Sequence, residues 1–143
     1  MNSSPSILLV IPSLQVGGAE KVMLFIGKAL KEEGYRVDVW PLYPRGILAT
    51  EASEITGKNY STDLNRTKLP SMAISMLRLF IRISKSSEKV TVLSSVSGTN
   101  IFCCVLKLVF GKKIRLIIRE ATTIHNDRGG IKLKLAKLFY PAA

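Results

Sequence analysis

Five consecutive apolar residues, ILLVI at positions 7–11, run directly into a polar turn containing two adjacent glycines, PSLQVGGAE. An unbroken run of branched side chains suits a parallel strand buried on both faces; a strand with one wet face would alternate. Helical periodicity follows the glycines. Val22, Ile26, Ala29 and Leu30 are expected on the inward face, with Lys21, Lys28, Lys31 and Glu32 pointing elsewhere. Glu20 falls in the first turn, where the helix dipole favours an acid, and Gly34 is placed to stop the helix. RVDVW, residues 36–40, then alternates with period two as a second strand. This β-α-β unit is expected to cross over right-handed.

The same alternation continues. Pro41, Pro44 and Gly46 mark a loop, ILATEASEI a short helix, and GKNYSTDLNRTK an exposed loop with at most a short strand. Residues 71–84 are helical in pattern, with Met76, Leu77 and Phe80 expected inward and Arg78, Arg82 and Lys85 forming a basic outer stripe at i, i+4 and i+7. KVTVLSS reads as a strand, VSGTN as a turn, residues 101–110 as an apolar helix ended by Gly111, and KIRLIIRE as a further strand. The polar loop ATTIHNDRGG leads to IKLKLAKLFYP, where Ile131, Leu135 and Leu138 fit a helix stopped by Pro141, although the first apolar residues also alternate.

Strands alternating with helices imply an α/β fold, a Rossmann-like three-layer domain with a mainly parallel sheet. Residues 1–143 are expected to form a single domain, because the length is close to the common domain size. In such sheets ligands bind beyond the carboxyl ends of the strands, where strand order reverses. That rule selects the loops at residues 12–18, 94–100 and 119–126, the post-strand loops richest in Gly, Ser and Asn.

Charge is divided unevenly. The chain carries a formal +11, yet residues 1–64 hold six Lys or Arg against seven acids, and residues 65–143 hold fifteen against three. An anionic partner is expected for the second half: nucleic acid, a membrane surface or a phosphorylated substrate. A plainly solvated basic face is the alternative. The apolar runs fall short of the ~18 residues a membrane span needs, and no basic residue precedes the run at 7–11, so a secretory signal is not expected. Adjacent Cys103 and Cys104 lie within an apolar segment and are expected to pack as small hydrophobes, which is weakly consistent with a cytoplasmic location.

Several chemistries find little support. The dinucleotide fingerprint needs G-x-G-x-x-G, and the glycines here are adjacent with no third at the required place. Asp38 stands about twenty residues on, as a ribose-binding acid would, but inside the strand rather than at its tip. No G-K-[ST] phosphate loop occurs, no metal-ligand cluster is evident, and His125 is a lone loop histidine. Gly17 and Gly18 serve either a tight turn or the close approach of a phosphate or sugar hydroxyl to a helix N-terminus. Arg119 and Glu120 end a strand. Adjacent strand residues face opposite sides, so both reach the cleft only if the strand ends between them.

The opening segment ILLVIPSLQVGGAEKVMLFIGKALKEEGYRVDVW resembles that of the family-4 glycosyltransferases, retaining enzymes of the two-domain GT-B fold. Their usual start is a strand, a Gly-Gly-Ala-Glu-Arg-like turn, an amphipathic helix and a Gly-His-x-Val-like approach to the second strand; here Lys21 replaces the Arg and Tyr35 the His. VLSSVSGTNIFCCVLKLVFGKKIRLIIRE is similar to a stretch of one branch in which a serine strand end leads through an Asn into a helix, and a later strand ends in Glu-Arg-Asn. In this chain that pair is inverted, as Arg119-Glu120. LAKLFYPAA resembles the segment before that family's next strand.

The resemblance implies that residues 1–143 are the N-terminal, acceptor-side domain of such an enzyme. The C-terminal, donor-binding domain, with its two glutamates separated by seven residues, would lie outside the chain. The complete enzyme would move a hexose or N-acetylhexosamine from a nucleotide sugar, UDP- or GDP-linked, to a glycan or lipid-linked acceptor. It would need neither metal nor other cofactor, and the chain alone would be inactive. Gly17 and Gly18 would lie near the donor phosphates or transferred sugar. Ser95, Asn100, Arg119 and Glu120 would line the acceptor side, with Arg119 and Glu120 the candidates for a catalytic role. Arg78, Arg82 and Lys85 would face an anionic membrane at the inner face of the cell envelope. The rival expectation is a non-enzymatic basic α/β module for nucleic acid or an anionic membrane surface, although few aromatics and no nucleic-acid motif accompany the charge.

Overall fold

The computed structural model describes residues 6–62 and 67–120. Four strands, β1 (Ser6–Ser13), β2 (Arg36–Tyr43), β3 (Val90–Ser95) and β4 (Ile114–Arg119), form one sheet in the order β2-β1-β3-β4. Every pairing is parallel: Ser6 to Ile11 and Ser13 of β1 run beside β2, Ile7 to Val10 beside β3, and β3 runs beside β4 from Val90–Ile114 to Ser95–Arg119. The chain leaves β1 toward β2 on one side and then returns to place β3 on the other. The reversal of strand order therefore falls between β1 and β3.

Helices cover both faces of this sheet, so the α/β, Rossmann-like three-layer architecture holds. Helices α1 (Gly18–Glu32) and α2 (Ala49–Thr56) pack on one face, with Met23, Leu24, Ala49, Ala52 and Ile55 against Leu9, Ile11 and Val39. Helices α3 (Lys68–Lys85) and α4 (Ser97–Phe110) pack on the other, with Leu79, Ile83, Cys103, Cys104 and Leu106 against Leu8, Val10, Val92 and Leu116. Consecutive residues of β1 thus enter different cores, which is why ILLVI contains no polar position.

Tertiary packing moved several expected faces and boundaries. On α1 the buried residues are Met23, Leu24 and Gly27, while Val22 and Ala29 are exposed. Gly27 sets that rotation: a Cβ there would stand 2.6 Å from Leu9 Cδ1, so the missing side chain lets α1 lie close on β1. On α3 the inward residues are Ser75, Leu79 and Ile83, with Met76 half-buried; Leu77 and Phe80 are exposed. Strand β2 continues through Pro41 to Tyr43, tolerated because β2 is an edge strand. Helix α4 begins at Ser97, so the expected turn VSGTN supplies its first turn. The expected helix over residues 131–140 lies outside the described residues.

Candidate functional site at the strand-order reversal

The loop after β1 is anchored from below. The Leu48 N–H donates to Leu14 O at 2.9 Å, and Gly46 packs its bare Cα beneath that peptide, where a Cβ would lie 2.6 Å from Gln15 N. Gly46 has φ +144, a region that side chains rarely adopt. Lys68 Nζ at the start of α3 donates to Gln15 Oε1 at 3.2 Å. Beyond these anchors Val16 projects outward and Gly18 is exposed.

Neither Gly17 nor Gly18 has a positive φ. Gly17 is the extended N-cap residue of α1, φ −150 and ψ 154, and its carbonyl accepts the Lys21 N–H at 3.1 Å. No side chain caps the helix, so its first N–H groups have no capping side-chain partner. A Cβ on Gly18 would meet nothing within 4 Å. The glycine pair therefore does not serve a left-handed turn, and at Gly18 the main chain borders open space. Over Gly17, the Glu20 carboxylate folds back into the volume a Cβ would fill.

Across the reversal, the ends of β3, α4 and β4 are joined by hydrogen bonds centred on Asn100. This residue is fully buried in the first turn of α4. Its Oδ1 accepts from Ser94 Oγ at 2.8 Å, and its Nδ2 donates to Glu120 Oε1 at 2.8 Å and to Arg119 O at 3.3 Å. Ser97 Oγ donates to Glu120 Oε2 at 3.5 Å, and Arg119 Nη1 donates to Ser95 Oγ at 3.2 Å. Strand β4 ends between Arg119 and Glu120. Arg119 follows Ser95 and Glu120 follows Asn100, so the pair straddles the carboxyl edge of the sheet. Ser94, Ser95 and Asn100 are buried, whereas Arg119 and Glu120 are half-exposed.

Ser94, Val96 and Ser97 join this site; the sequence selects their loop, residues 94–100, but none of the three individually. The two serines were visible in VLSSVSG, but which of them face Asn100 depends on where α4 starts. Val96 is the N-cap residue of α4 with φ 77 and ψ 131. A β-branched residue at positive φ is strained by about 1–3 kcal/mol. The Asn100 N–H, donating to Val96 O at 2.9 Å, helps hold it there.

Other sequence candidates sit elsewhere. Asp38, on β2, is mostly buried and pairs with Lys58 and Arg82, which lie 5.5 and 5.4 Å from the Trp40 ring centroid. Arg82 therefore turns away from the expected basic stripe; Arg78 and Lys85 remain exposed on α3. Cys103 and Cys104 are free and buried, and burial pushes the Cys103 thiol up to about 12 and that of Cys104 upward. His125 lies outside the described residues. Among the described residues no cluster of His, Cys, Asp and Glu could hold a metal ion, and no helix is long and apolar enough to cross a membrane.

The fold and this site define a parallel α/β domain with an uncapped helix N-terminus and a buried polar cluster meeting at the strand-order reversal. No protein-family model and no curated protein matches this chain.

Proposed function

We propose that this domain is the acceptor-side half of a retaining glycosyltransferase that takes a hexose or N-acetylhexosamine from a UDP- or GDP-linked sugar and delivers it to a glycan or lipid-linked hydroxyl. The observation that supports this most is the bare main chain at Gly18, which opens α1 beside unoccupied space. Donor N–H groups at a helix N-terminus suit phosphate oxygens or sugar hydroxyls. Their position at the strand-order reversal is where α/β sheets take ligands.

In this reading the two sides of the reversal divide the work. The first N–H groups of α1 meet the leaving diphosphate or the transferred sugar. Arg119 supplies a fixed positive charge, and Glu120 accepts a hydrogen bond from the incoming hydroxyl. Ser95 and Asn100 are buried, so they position Arg119 and Glu120 rather than touch the acceptor. Catalysis would come from orientation and electrostatic stabilisation of the departing phosphate, each effective only when both substrates are held together. The donor's base and ribose would be held by a second domain outside this chain.

The deciding experiment joins this chain to its donor-binding half and measures transfer. Gly18→Val should lower turnover about a hundredfold, with the circular dichroism spectrum retained because the side chain has room. Undiminished transfer by the folded variant would overturn the assignment of Gly18. Transfer by the 143-residue chain alone would overturn the division into halves.

A further inference from the structure

The two helical layers do not cover the sheet equally. On the α3–α4 face the core reaches every strand, from Leu42 on β2 through Leu8 and Val92 to Leu116 on β4. On the opposite face α1 and α2 lie over β1 and β2, where Leu9, Ile11 and Val39 are buried, and only the flank of α1 reaches β3. Leu93 of β3 is half-buried there. Its register partner on β4, Ile117, points to the same face and is 45 % exposed. Arg115, two residues earlier and on that same face, is exposed as well. Among the described residues the helix packed on β4 is α4, from the other side. All-parallel sheets are almost always covered on both faces, so the open half-face over β3 and β4 calls for an occupant.

The helix beside the gap carries a matching surface. Val22, Phe25 and Ala29 of α1 stand at i, i+3 and i+7 and are exposed, Phe25 at 72 %. Glu32 and Glu33 follow at the end of the helix, exposed. Neither of them, nor Arg115, forms an ion pair among the described residues. Heights along the strands agree too. Gly27 rests on Leu9, Leu9 pairs with Leu93, and Leu93 pairs with Ile117, so the middle of α1 is level with the middle of β4. From Gly27, Glu32 and Glu33 lie about 8–9 Å toward the amino edge of the sheet. From Ile117, Arg115 lies about 7 Å in the same direction.

From these observations we infer that two copies of this chain associate face to face about a two-fold axis parallel to the strands, with α1 of each copy seated on the open β3–β4 half-face of the other. Such an axis exchanges left and right across the sheet and preserves height along the strands. Phe25 of one copy then meets Ile117 of the second, and Glu32 and Glu33 meet Arg115. The two-fold makes each contact twice. Arg119, at the other end of the half-face, is already turned to Ser95 Oγ.

Charge favours this face for self-association. Residues 1–64, which supply α1 and α2, hold six Lys or Arg against seven acids. Helices α3 and α4 carry Lys68, Arg78, Arg82, Lys85 and Lys107 and no carboxylate. Two copies of a chain with a formal charge of +11 therefore approach with least repulsion through the α1–α2 layer. The chain beyond β4 is a poorer occupant. The β3-α4-β4 step crosses over the α3–α4 face, and a further step in that direction keeps the same hand and so the same face. An acidic helix of another protein would pair with Arg115 but set its charge beside Glu32 and Glu33. The inference does not rest on the glycosyltransferase reading, and either can fail without the other.

Sedimentation equilibrium of the full chain over a dilution series tests it, with circular dichroism confirming the fold of every variant. The unaltered chain should be a reversible dimer. Phe25→Asp should weaken association by about tenfold or more, as expected for a central aromatic anchor. Leu77→Asp, equally exposed but on α3, should leave it unchanged. Glu33→Arg and Arg115→Glu should each weaken the dimer. Mixed together, these two variants should recover it, because each then supplies the charge that the other lacks at both contacts. A chain that stays monomeric at every concentration would mean that something else covers the half-face, and would overturn the proposal. So would a dimer that is insensitive to Phe25→Asp, a dimer lost with Leu77→Asp, or a mixture of the charge variants that stays apart.

Discussion

Asn100 Nδ2 donates to Glu120 Oε1 at 2.8 Å, tying the first turn of α4 to the residue that follows β4. Through Oδ1 the same side chain holds Ser94 at 2.8 Å, so three elements meet on one buried amide. The consequence is positional: Glu120 and Arg119 have defined places at the sheet edge because Asn100 cannot move without stranding its partners.

Asn100→Ala is accordingly expected to destabilise the domain by about 2–4 kcal/mol, since Ser94 and the Arg119 carbonyl lose a partner in a buried setting. Urea unfolding followed by circular dichroism measures this. A change under about 0.5 kcal/mol would show that water replaces the amide and that Asn100 does not set the position of Glu120.

Two glycines of the site should behave oppositely. Gly46→Ala places a Cβ against the Leu14–Gln15 peptide at a φ of +144, so it should cost about 3 kcal/mol or more, or prevent folding. Gly18→Ala meets open space at the first helical position and should be neutral or stabilise by about 0.5 kcal/mol. Thermal unfolding of the pair tests the distinction between a glycine that supports the loop and one that borders open space.

Glu20 lies over Gly17 and so places a negative charge where an anionic ligand would approach. Glu20→Ala should tighten binding of pyrophosphate to this chain by about three- to tenfold, the factor expected for one partly screened like charge near a helix terminus. Titration followed by amide chemical shifts at residues 17–21 reads it. Weaker binding in the variant would mean that Glu20 holds the ligand instead of opposing it.

Alkaline pH should loosen the fold. Burial raises the Tyr60 hydroxyl from 10.0 to about 12 and the Cys103 thiol from 9.0 to about 12. Tyr60 is neutral as it donates to Val39 O at 2.6 Å. Both groups bind their protons more tightly when folded. Their contribution is therefore complete below the unfolded values and is lost as pH rises through the folded ones. The denaturant midpoint should fall progressively between pH 9.0 and about 12. Cys103→Ala should delay the onset of that fall, and Tyr60→Phe should flatten its upper part. An unchanged pH profile in both variants would place the alkaline transition elsewhere.

Much of this domain could be read from order alone. ILLVI announced a strand buried on two faces because both its odd and its even positions are apolar, and the helices between strands forced a layered α/β sheet. The rule that ligands gather where strand order reverses then led to the loops at residues 12–18, 94–100 and 119–126, and so to Gly17, Gly18, Arg119 and Glu120, before any pairing was known, while Ser95 and Asn100 were implied by the family resemblance alone. What sequence could not decide was rotation and depth. Val22 and Leu77 fit an inward face by spacing, yet Gly27 is buried with Met23 and Leu24, and Ser75 with Leu79 and Ile83, because small side chains admit closer helices than periodicity can weigh. Arg82 looked like an outward cation until Asp38 and Trp40, 44 and 42 positions earlier, offered it an ion pair and a ring. Local pattern reports which residues prefer burial. Only the folded chain settles which of them win it, since each helix has one inward face and the partners that claim it come from distant sequence.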